Sequence, residues 1–164
     1  MPTDEITDRQ IQAFKRFVTR LPHGMDTDLV ILKAHLLIEE EVNAILRVRL
    51  KNPESILSEE RFESIYRIRL AQGFFEPDFQ PWLWHALTQL NKLRNRVAHS
   101  IDPKGRENIM EDIVEAVPGA GGKDDRPKQD RFEYALWSLH EAVSSLVEPH
   151  PAQLLELVPR DGAA

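Results

Sequence analysis

The chain contains no cysteine. Disulfides, thiolate nucleophiles, iron–sulfur clusters and cysteine-ligated zinc are therefore excluded, and the fold needs no oxidising compartment. A long apolar run is missing too. The most apolar stretch, residues 29–50, is broken by Lys33, His35, Glu39, Glu40, Glu41, Asn43, Arg47 and Arg49, too many polar and ionisable groups for a bilayer interior. The opening MPTDEITDRQ lacks the basic residues and apolar run of a secretory signal, so a cytoplasmic protein without membrane association is expected. Nor is positive charge in excess. Lys and Arg number 21 against 27 Asp and Glu, a formal net charge of −6, which argues against coating duplex-DNA phosphates. The glycines at 119–122 are not followed by Lys-Ser/Thr, and no His-Glu-x-x-His occurs, so neither a P-loop nor a zincin site is present. No cofactor and no metal is implied.

What is present describes an ordinary globular chain. Its 164 residues, 41% hydrophobic and 29% charged, fit one domain with a real core. The 11 prolines punctuate it into intervals of helix length, filled with strong helix formers and few alternating β-branched runs. An all-α fold is expected, a four- to five-helix up-and-down bundle over residues 1–150, with a mobile loop at 118–128 and a short tail at 151–164. Helices are expected over about 4–21, from Asp26-Thr27-Asp28 to about 51, from Ser58 to 72, and from about 78 toward Asp102-Pro103. A shorter piece is expected within 104–117, a last long helix opening with Asp130 and Glu133 in capping-box-like spacing, and a short one near 154–158. The second of these, apolar around most of its circumference, should be central.

The most informative stretch is Leu93-Arg94-Asn95-Arg96-Val97-Ala98-His99-Ser100. At about 100° per residue Arg94 falls within the stripe of Leu87, Leu90 and Val97, whereas His99 lies about 140° away from it. The two converge only if the helix unwinds before Asp102-Pro103 or if a second subunit supplies one of them. An Arg and a His in one cleft, without cysteine, metal motif or serine nucleophile, suit RNA cleavage, because the ribose 2′-hydroxyl is the nucleophile. The same residues also suit a plain helix cap and a filled helix end.

Glu39 and Asn43 interrupt the otherwise apolar row 32, 36, 39, 43, 46, 50. A buried carboxylate requires a cationic partner, and Arg94 is the expected one. His35 and Glu39 share the i, i+4 spacing of two metal ligands but lack a third. Lys92, Arg94 and Arg96, with Arg47, Arg49, Lys51, Arg67 and Arg69, supply local positive charge suited to RNA, or simply solvated helix faces. Trp84 falls away from the leucine stripe, near Asn91 and Asn95, where it would stack a base or enter a subunit interface.

The segment Arg94-Asn95-Arg96-Val97-Ala98-His99 resembles the Arg-polar-x-x-x-His signature of the HEPN superfamily, and Lys33 to Asn43 resembles the acidic helix that precedes it there. The resemblance runs over roughly 26–146. It implies a dimeric helical bundle and a metal-independent endoribonuclease acting on single-stranded RNA, with Arg94, Asn95 and His99 catalytic and the Arg and His pairs meeting across a homodimer. It also implies a place in a toxin–antitoxin or defence system, with an antitoxin as partner. The tyrosine two places after the histidine is absent, since Ile101 stands there. Residues 62–73 together with 93–99 also resemble the mannitol operon repressor family, which implies instead a non-enzymatic regulator that binds another protein.

Overall fold

The computed structural model describes residues 5–122 and 125–148. Among these residues the chain is all-helical: α1 (Asp8–Arg20), α2 (Thr27–Arg49), α3 (Glu54–Leu57), α4 (Ser64–Gln72), α5 (Pro81–His99), α6 (Arg106–Ala116) and α7 (Lys128–Ser145). No helix there is long and apolar enough to cross a membrane. The tail at 151–164, with the helix expected near 154–158, lies outside the described residues.

Each helix begins and ends for local reasons. Thr7 and Gln10 close a reciprocal capping box on α1, so the helix starts later than position 4. Asp26 caps α2 by accepting from the amides of Asp28 and Leu29. The helix expected from Ser58 is divided. Residues 54–57 form a single turn, Ser58 caps its C-terminal end, and α4 begins only at Ser64. The reason is topological. Ser64 bonds Glu39, Arg67 bonds Asn43, and the Arg49 guanidinium lies over Phe75, so α4 runs in the same sense as α2. The chain between them must return along α2, and this pair departs from strict up-and-down alternation. Asp130 and Glu133 make no capping box either, since α7 already starts at Lys128 after Pro127 and no side chain caps it.

α2 packs on α1, α4, α5 and α7, which makes it the central helix that its apolar circumference predicts. One core joins α1, α2, α4, α5, α6 and α7 through residues such as Phe17, Ile31, Ile45, Leu87, Ile113 and Leu136. Ala120, inside the segment expected to be mobile, is fully buried and ties that connection to the core.

Trp84 corrects the off-stripe expectation. It is only 4% exposed, and its indole Nε1 donates to the Phe79 carbonyl at 3.1 Å. The connection between α4 and α5 folds Phe75 and Phe79 over that side of α5, with the Phe75 and Trp84 rings 5.6 Å apart. Aromatic burial of this size outweighs an exposed stacking position. Trp84 therefore belongs to the core of the chain and offers no surface to RNA or a partner.

A second polar cluster lies between α1, α2 and α7. Arg9 donates to Glu41 at 2.8 Å and to the Ser144 hydroxyl at 3.3 Å, while His140 stacks on Phe17 with ring centroids 4.4 Å apart. Burial pushes the His140 imidazole down to about 4, with Glu41 opposing that shift and Arg9 adding to it.

Candidate active site

α5 stays helical through His99 and stops because Ser100 is extended, at φ −146° and ψ 136°. Asp102 precedes a proline, which also disfavours helical backbone. The chain turns at Gly105, where φ is +76°, and enters α6. A side chain at Gly105 would adopt a strained backbone and meet Arg96 Nη1 at 2.7 Å. The close approach has a purpose in the fold: Arg96 Nη1 donates to the Lys104 carbonyl and holds residues 100–105 beside the last turns of α5.

That loop, α4 and α5 enclose an open cavity of about 810 Å³. One stripe of α5 forms its floor through Thr88, Asn91, Lys92, Asn95 and His99, at helical spacing. α4 contributes Ile65 and Arg69, and the loop contributes Asp102, Pro103 and Lys104. Four cationic side chains, Arg69, Lys92, Arg96 and Lys104, thus face one carboxylate, Asp102. None of the four lies in an ion pair with a carboxylate among the described residues. Elsewhere Arg9 pairs with Glu41, Arg16 with Glu40, Arg47 with Glu54, Arg106 with Asp28 and Lys128 with Glu111. Lys15, Arg20, Lys33, Lys51 and Arg61 also lie in no ion pair among the described residues, so the cavity is distinguished by gathering four such cations in one place. In a chain of net charge −6 the unpaired positive charge around this cavity favours an anionic occupant.

The residues singled out from sequence separate into two groups. Asn95, His99, Lys92 and Arg96 share the cavity. Arg94 does not line it. It is half-buried on the α2 side of α5, and its Nη1 donates to Asn95 Oδ1 at 2.8 Å, so Asn95 links it to the cavity. Because α5 is regular through His99, the angular separation of about 140° between Arg94 and His99 persists within one chain.

The expected Glu39–Arg94 pair does not form. Glu39 accepts from the Ser64 hydroxyl, and Asn43 accepts from Arg67 Nη1 at 3.1 Å, so both side chains anchor α4 to α2. The cationic track expected from sequence shrinks for similar reasons. Arg47 is occupied by Glu54, Arg49 by Phe75, Arg67 by Asn43 and the Phe62 carbonyl, and Arg94 by Asn95, while the exposed Lys51 does not line the cavity, leaving Arg69, Lys92 and Arg96 there.

Two site residues were not evident in the sequence. Lys104 reaches the cavity only through the turn at Gly105, and Asn91 only through its buried place between α5 and α2. Asn91 stands beside His35, which is 4% exposed, and burial lowers the His35 imidazole pKa. Arg94 adds to that lowering, while Glu39 and the Asn91 side chain oppose it. A neutral His35 therefore backs the cavity floor. No cluster of three or more His, Asp or Glu side chains suited to a metal occurs among the described residues.

Comparison with protein-family models, with curated proteins and with solved structures finds no match.

Proposed function

We propose that the chain is a metal-independent endoribonuclease of the HEPN type, a cytoplasmic homodimer built on a bundle of four or five principal helices and acting on single-stranded RNA. One observation carries the reading. The cavity brings His99 together with Arg69, Lys92, Arg96 and Lys104, four cations that lie in no ion pair among the described residues and face one carboxylate, Asp102.

Phosphodiester cleavage by the neighbouring 2′-hydroxyl needs little from the protein. The 2′-oxygen bonds to phosphorus, the bond to the 5′-oxygen breaks, and a 2′,3′-cyclic phosphate and a 5′-hydroxyl result. His99 takes the 2′-hydroxyl proton or returns one to the leaving oxygen. Arg94 stabilises the charge that gathers on the phosphate, and Asn95, whose Oδ1 accepts from Arg94 within the chain, orients that guanidinium toward the partner's site. Since Arg94 and His99 diverge in one chain, the active pair combines Arg94 of one copy with His99 of the other. A role as a toxin held by an antitoxin belongs to the same proposal.

A second reading has its own support. Ile101 is 95% exposed beside the site, and Leu36 and Tyr66 are more than half exposed. Such residues favour a protein partner, as in a regulator of the mannitol-repressor kind.

The readings separate in one assay. The purified protein in EDTA is expected to cut unstructured RNA and to leave 2′,3′-cyclic phosphate ends. RNA that stays intact, with another protein retained in a stable complex, would favour the regulator.

A further inference from the structure

The cavity is longer than a single phosphate requires. From Thr88 to His99 its floor extends over 12 residues of α5, an axial rise of about 16.5 Å at 1.5 Å per residue. α4 runs with α2 while α5 runs against it, because Arg94 lies near His35 and the Phe75–Trp84 cluster near Arg49. α4 and α5 are therefore antiparallel. Arg69 stands toward the Thr88 end of the floor, and Ile65 stands nearer His99. Positive charge is consequently divided between the two ends, with Arg69 and Lys92 remote from His99 and with Lys104 and Arg96 close to it. Between them lie the side-chain amide of Asn95 and the apolar surfaces of Ile65 and Pro103, with the buried Asn91 at the level of Lys92.

We infer that Arg69 and Lys92 form a second phosphate subsite, so that the cavity grips a run of single-stranded RNA over more than one nucleotide and sets its register relative to His99. The identity of the strand rests on the ribonuclease reading, whereas the subsite itself rests on the placement of charge. Consecutive phosphates match two cationic ends separated by the Asn95 side chain and apolar surface. Asn95 Oδ1 accepts from Arg94, which leaves its amide nitrogen to bond ribose or a base edge, and the apolar surfaces can carry a ring. Arg96 is committed to the Lys104 carbonyl and holds the wall, which leaves the Lys104 ammonium for the phosphate nearer the reaction. Arg69 and Lys92 are exposed, and no ion pair has to be broken before they meet a phosphate.

The test uses a 2′-O-methylated single-stranded oligonucleotide, which cannot be cut because its nucleophile is blocked, with binding followed by fluorescence anisotropy over a salt series. The Arg69→Gln/Lys92→Gln double variant is expected to bind on the order of 10-fold more weakly at low salt. Its plot of log affinity against log salt should be shallower by roughly 0.7, the share of the one phosphate held at that subsite. Arg16→Gln removes a cation already paired with Glu40 and should change neither quantity. Wild-type affinity and slope in the double variant would overturn the subsite, as would a wild-type protein that binds no oligonucleotide at low salt. Displacement by poly-glutamate as effective as by RNA would also overturn it, by showing general polyanion attraction. If the double variant loses binding but wild type cuts no RNA, the subsite stands and the enzyme reading falls. If RNA is cut and the double variant binds normally, the enzyme reading stands and the subsite falls.

Discussion

Under the ribonuclease proposal, replacing His99 by alanine is expected to lower the rate of RNA cleavage by about 10²–10⁴-fold, the usual cost of losing one positioned acid–base group. The fold should barely respond. His99 is the last residue of α5, is exposed and makes no side-chain hydrogen bond among those described, so unfolding stability should stay within about 0.5 kcal/mol of wild type. Arg94→Ala differs in kind, because Arg94 is half-buried and bonded to Asn95, and its removal also frees the Asn95 side chain. Both variants are read by single-turnover cleavage alongside chemical denaturation. A His99→Ala protein that cuts RNA at the wild-type rate would remove His99 from the reaction.

Acid should weaken the fold well before ordinary carboxylates titrate. His140 is 2% exposed, and burial, reinforced by Arg9 and opposed by Glu41, lowers its pKa from 6.5 to about 4. Above pH 6.5 neither the folded nor the unfolded state binds the proton, and the group contributes no pH dependence. Between 6.5 and about 4 the unfolded chain takes up a proton that the folded chain refuses, so stability falls as pH falls. The loss should reach about 2 kcal/mol by pH 5 and about 3 kcal/mol by pH 4. His35 shifts in the same direction, so its share adds to that of His140. Urea denaturation at pH 7.5 and at pH 5 measures the effect, and His140→Gln should leave only the His35 share. Equal stability at the two pH values, or an unchanged difference in the variant, would contradict the burial argument.

The helical class and the central place of α2 were legible because proline spacing and apolar periodicity act locally. α6 was legible for the same reason, with Ile109, Met110 and Ile113 buried as its pattern predicts. Trp84 was misread because the helix wheel of α5 carries no information about residues 73–80, which fold back to cover it. Glu39 was assigned to Arg94 on the ground that a buried carboxylate needs a partner, but Ser64 supplies a neutral one once α4 lies parallel to α2. The α5 stripe of Lys92, Asn95 and His99 could be read at helical spacing. Arg69 was one cation among many in the sequence, and only the antiparallel packing of α4 on α5 separates it from Arg47, Arg49 and Arg67. Lys104 depends on the turn at Gly105, whose positive φ a sequence shows only as a glycine.

The proposed active site is shared between two copies, with Arg94 from one chain and His99 from the other. The direct measurement co-expresses Arg94→Ala and His99→Ala chains under different tags, isolates the mixed dimer on both tags, and compares its RNA cleavage in EDTA with that of wild type and of each parent. The mixed dimer keeps one intact Arg94–His99 pair of two, so it should cut RNA at about half the wild-type rate, although both parents are nearly inactive. A mixed dimer as inactive as its parents, or a chain that forms no dimer, would contradict the shared site.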